Sequence, residues 1–125
     1  MIRKDAIQKI IEENNKTENE TKELRIGGNN LSWSESRIAL GDYIARLHTD
    51  DFVDLLALLD YGRDICHMQK QGTYEGFLQK RKSLCINNLS DEERRQKAQY
   101  LLKNMNLSRY LGATLPLFDE ESFIF

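Results

Sequence analysis

Proline is almost missing from this chain. One proline and seven glycines in 125 residues leave too few turn formers for a sheet-rich or repetitive pattern, and 40% hydrophobic with 30% charged residues suits a helical globular protein. Cysteine is nearly as scarce. Cys66 and Cys85 both fall in apolar helical patterns and follow no export signal, so reduced, buried thiols outrank a disulfide. Long hydrophobic runs are lacking too. Arg3, Lys4, Asp5, Lys9 and Glu12 interrupt Ile2, Ile7, Ile10 and Ile11, which leaves no signal-peptide core and no membrane span, so a cytosolic location is expected. Neither sign of charge dominates: 18 basic and 20 acidic residues give a net charge of −2, and no global positive field draws the chain to nucleic acid or anionic lipid.

Paired chemistry is also missing. His48, His67, Cys66 and Cys85 are the soft ligands, and none stands in a Cys-x-x-Cys or His-x-x-x-His pair. Cys66 and His67 are neighbours, which on a helix point about 100° apart, so they cannot act as nucleophile and base. Gly27 and Gly28 carry no phosphate-loop pattern and read as a plain turn. No metal, cofactor or catalytic set is expected, and an enzyme would need long-range convergence.

What is present is helical periodicity. The most apolar stretch is Thr49 to Gln71, in which Phe52, Leu55, Leu56 and Leu59 form one stripe while Val53, Ala57, Leu58, Tyr61 and Ile65 fill most of the remaining circumference. Such a helix needs cover on several sides. Thr49 or Asp50 is the expected cap, Asp50, Asp51 and Asp54 suit the positive end of the helix dipole, and Gly62 marks a kink or a close approach in a helix reaching about Lys70.

Around it, Ala6, Ile7, Ile10 and Ile11 predict a first helix from about Arg3 to Asn15, and the polar residues 14–30 read as a linker or loop. Trp33, Ser34 and Ile38 are spaced as a hydrophobic staple, with Ser32 and Glu35 as a competing capping box, before a helix carrying Leu40, Tyr43, Ile44 and Leu47. Thr73 caps a fourth helix with Tyr74, Phe77, Leu78, Leu84 and Cys85 towards the core. Ser90 and Glu93 form a capping box for a fifth, whose polar first turns give way to Ala98, Tyr100, Leu101 and Leu102, and a short sixth carries Leu107, Tyr110 and Leu111. Gly112 and Pro116 end regular structure, leaving residues 114–125 as an extended C-terminal tail. The expected fold is one all-α domain, a compact bundle of five or six helices around the apolar central one.

Two blocks, LLALLDYGRD (Leu55 to Asp64) and AQYLLKNMNLSRYL (Ala98 to Leu111), resemble a bacterial family catalogued as domain of unknown function 3775. Together with the helix order, the resemblance covers most of the chain up to about Leu111. It implies a helical domain and no activity.

Candidate contact residues remain. Leu115, Leu117 and Phe118 in the tail resemble the apolar anchors by which bacterial proteins dock on the DNA sliding clamp, with Thr114 where those peptides have glutamine. Phe123, Ile124 and Phe125 add an apolar end that needs cover from its own domain or from a second copy in a homodimer. Arg63, Arg81, Arg94 and Arg95 are candidate electrostatic contacts, with solvated helix faces or internal pairing as the plainer reading. The reading is therefore a protein-interaction module: a regulator, inhibitor or accessory subunit. An accessory factor recruited to nucleic-acid machinery through the tail or basic patches is the alternative, and a small enzyme ranks third.

Overall fold

The computed structural model describes residues 2–27, 35–69, 71–84, 89–104 and 106–119, with the backbone alone across 18–27. The chain is all-α. Among the described residues six helices follow one another, α1 (Lys4–Gly27), α2 (Glu35–Ala45), α3 (Thr49–Met68), α4 (Tyr74–Ser83), α5 (Asp91–Lys103) and α6 (Leu107–Thr114), and a 3-10 helix runs Leu115–Asp119.

Helix α3 contributes the largest share of the core. Phe52, Leu55, Ala57, Leu58, Leu59, Tyr61 and Gly62 are buried, while Leu56, Val53 and Ile65 are only partly covered. Its cap differs from expectation. Thr49 is already helical, and the preceding His48, still extended, offers Nδ1 to the Asp50 N–H at 3.3 Å. Gly62 does not end the helix. The Tyr110 carbonyl of α6 lies where a Gly62 side chain would stand, so the missing Cβ is what lets the two backbones approach. The helix stops at Met68, and Gln69 takes the left-handed conformation at φ 49°.

The reading of residues 14–30 as a linker or loop is corrected over 14–27, where α1 runs unbroken to Gly27, and residues 28–30 lie outside the described ones. Its second half lacks an apolar stripe, which is why periodicity missed it. Asn14 and Thr17 are buried there as hydrogen-bond partners of other helices, so the inward face is polar at these positions. Ile2, Ile7 and Ile10 supply the apolar part.

Local signals set the later helices. Thr73 accepts the Gly76 N–H at 3.0 Å to start α4, and Ser90 accepts the Glu93 N–H at 3.2 Å to start α5. On α5, Ala98, Leu101 and Leu102 are buried, but Tyr100 lies on the opposite face and is 76% exposed. Helix α6 passes through Gly112 to Thr114 and buries Leu107, Tyr110, Leu111 and Thr114. Arg37 meets the Leu102 carbonyl, and Leu47 meets Arg94, so α2 and α5 lie side by side and antiparallel. The staple residues 32–34 and the thiol of Cys85 lie outside the described residues, whereas Cys66 is a free, half-buried thiol.

Candidate functional site

The expected extended tail is corrected over its first half. Residues 115–119 form a 3-10 helix on the chain's own domain: Leu117 is 2% exposed within the core, and Leu115 and Phe118 pack against its edge. Lys4 reaches Asp119 at 3.1 Å and ties this turn to the start of α1. Proline at 116 cannot extend the helix, and the turn it leaves carries Leu117 inward. Leu117 is therefore held in the core of its own domain. Phe123, Ile124 and Phe125 lie outside the described residues.

Three of the four candidate arginines face their own chain. Arg81 donates to the buried Asp54 at 2.6 Å and stands 3.7 Å from Asp50, and the Ile2 N–H donates to the other Asp54 oxygen at 3.0 Å. Arg94 donates to the Leu47 carbonyl and lies over the Phe52 ring at 5.0 Å, clamping the α2–α3 turn. Arg63 pairs with Asp60 at 2.7 Å. Lys80 bridges Asp64 at 2.7 Å and Asp60 at 3.4 Å. The hydrogen bond that Lys80 donates to the Asp64 carboxylate raises its pKa above the ordinary 10.5; burial works against this, and the charge of Asp60 adds to it. The Lys80–Arg81–Lys82 cluster is thus largely matched by acids of α3, and Arg94 is held at a turn.

A second polar centre went unforeseen. Arg37 is 4% exposed: Nη1 donates to Asn14 Oδ1 at 3.2 Å and to Thr17 Oγ1 at 3.0 Å, and Nη2 donates to the Leu102 carbonyl. Asn14 in turn donates to Ser108 Oγ at 2.8 Å, and Ser108 donates to Asn15. One guanidinium and its partners therefore join α1, α2, α5 and α6. Its role is architectural, because every group named is directed at another part of the same chain. Near the end of α3, His67 Nε2 lies 3.1 Å from the Tyr110 hydroxyl, which also receives Asn106 at 3.5 Å. Among the described residues, no three His, Cys, Asp or Glu side chains converge to hold a metal ion.

Arg95 differs from the other arginines. It and Gln99 form one wall of a small surface groove whose other wall is Ile38 and Asp42 of α2, with Gly41 also lining it. The groove holds about 30 Å³, far below the roughly 300–1,000 Å³ of a small-molecule site. Ile38 is 53% exposed beside it. Asp42 and Arg95, opposite in sign and on opposite walls, make no ion pair among the described residues. The staple that the spacing of Trp33 and Ile38 predicts involves a residue outside the described ones. Comparison with family models, curated proteins and solved structures finds no match to this chain.

Proposed function

We propose that the protein is a non-enzymatic interaction module, a regulator, inhibitor or accessory subunit of the cytosol, and that the α2–α5 groove is its contact face. The observation that carries this is Ile38, half out in solvent beside a narrow groove whose walls bear Asp42 and Arg95. An apolar anchor framed by charges of both signs suits a protein surface, where a desolvated centre supplies affinity and a polar rim sets register. No described helix is long and apolar enough to cross a membrane. The resemblance to domain of unknown function 3775 belongs to the same proposal and adds a helical family without an activity.

The test is quantitative affinity capture from a native lysate of the source cells with the wild-type chain and with Ile38→Glu. Exposure of Ile38 makes the substitution nearly neutral for folding, within about 0.5 kcal/mol. At least one captured protein, this chain included, should fall tenfold or more with the variant while the thermal midpoint holds. Identical captured sets from both baits refute the reading.

A further inference from the structure

The geometry points to a second copy of this chain as the occupant of the α2–α5 groove, in a two-fold dimer whose axis runs along the groove. The inference rests on the reading of this groove as a contact face and names its partner. Ile38 and Asp42 are four residues apart on α2, and Arg95 and Gln99 four apart on α5, so each pair stands on one side of its helix. Because the helices are antiparallel, Asp42 lies towards the Arg95 end of the groove and Ile38 towards the Gln99 end.

A two-fold axis along the groove turns each wall onto the opposite wall of the other copy. Asp42 of each copy then faces Arg95 of the other, twice over, and each Ile38 covers the aliphatic stem of the other copy's Gln99. An axis across the groove would instead set walls of the same helix against each other, with Asp42 meeting the partner's Ile38, so the charges select the first arrangement. A foreign partner would have to bring both charges in register, whereas a second copy brings them by symmetry.

Size fixes the strength. Helices of 11 and 13 residues are about 17 and 20 Å long. At an interaxial distance of about 9 Å they present a face of roughly 350 Å². Two such faces bury about 700 Å², which belongs to weak, reversible association rather than to an obligate dimer.

Sedimentation equilibrium of the full chain from about 10 µM to 1 mM at low salt reads this directly. The weight-average mass should climb from 14.6 kDa towards twice that value. Asp42→Arg and Arg95→Asp should each weaken self-association at least tenfold, because each leaves two like charges on one face. The double reversal, and equally a one-to-one mixture of the two single variants, should restore association to within about threefold of wild type, which damage to the fold would not allow. A wild-type chain monomeric at 1 mM overturns the dimer, as do single variants that associate normally or a mixture that stays monomeric. A wild-type chain that stays monomeric while Ile38→Glu still lowers capture of another protein sinks this inference and leaves the proposed function standing. Retention of the dimer by Ile38→Glu, with an unchanged captured set, sinks both.

Discussion

Replacing Gly62 by alanine adds one methyl group at the place where α3 and α6 touch, and the structure gives the sign of the result. The new Cβ would fall on the Tyr110 carbonyl and crowd Thr114 Cγ2 at 3.2 Å. A side chain could rotate away; a helical backbone carbonyl cannot. The two helices must separate, and α6 carries Leu107, Tyr110, Leu111 and Thr114 in the core. Overpacking of this kind costs about 1–3 kcal/mol, occasionally more, and a backbone obstacle belongs at the upper end. Alanine returns about 1 kcal/mol as a better helix former, so the net loss should be about 2 kcal/mol, or roughly 5–10 °C in midpoint for a chain of this size. Gly112→Ala is the control: on α6, its Cβ would meet nothing within 4 Å, so only the favourable part remains, up to about 1 kcal/mol. Thermal and urea unfolding of both variants measure the difference. If the two substitutions shift stability in the same direction, the close approach of α3 and α6 at Gly62 is wrong.

Three further outcomes are expected. Arg37→Met should cost at least about 3 kcal/mol in urea unfolding, since Asn14, Thr17 and the Leu102 carbonyl lose a buried donor; a loss under 1 kcal/mol would mean that the guanidinium does not organise this junction. Leu117→Ala should cost about 2–4 kcal/mol by leaving a cavity, and a near-neutral result would return Leu117 to the list of exposed anchors. Lys80, with its folded pKa raised, adds stability that is fully present below pH 10.5 and is lost as pH rises through the folded value. Lys80→Met should therefore remove part of the loss of stability above pH 10.5, and an unchanged alkaline limb in the variant contradicts the bridge to Asp64.

Where burial is apolar, the sequence was readable. Phe52, Leu55, Leu58 and Leu59 announce α3 by spacing, and Thr73, Ser90 and Glu93 announce the starts of α4 and α5, because hydrophobic period and capping are local properties. Where burial is polar, it was not. Asn14, Thr17 and Arg37 are ordinary surface residues by type, and only the meeting of α1, α2 and α5 gives them a reason to be inside, so α1 was cut short and its inner face overlooked. Tyr100 misleads in the other direction: adjacent to Leu101 and Leu102, it is carried by the 100° step of the helix to the outer face. The groove shows the same limit, since nothing local in Ile38, Asp42 or Arg95 states that α2 and α5 are neighbours.

Asp54 holds the Ile2 N–H and the Arg81 guanidinium at once, and this has a consequence for the order of assembly. The link to Arg81 spans 27 residues and the link to Ile2 spans 52. Closing the longer loop costs about 0.6 kcal/mol more in chain entropy, so the shorter link between α3 and α4 is the one to close first. The beginning of the chain then docks onto a carboxylate already fixed by its arginine. On a ribosome the sequence of events is strained, because Ile2 emerges long before Arg81 exists to complete its seat. Until then the stripe of Ile2, Ile7 and Ile10 lacks part of its cover, which leaves α1 open to wrong association.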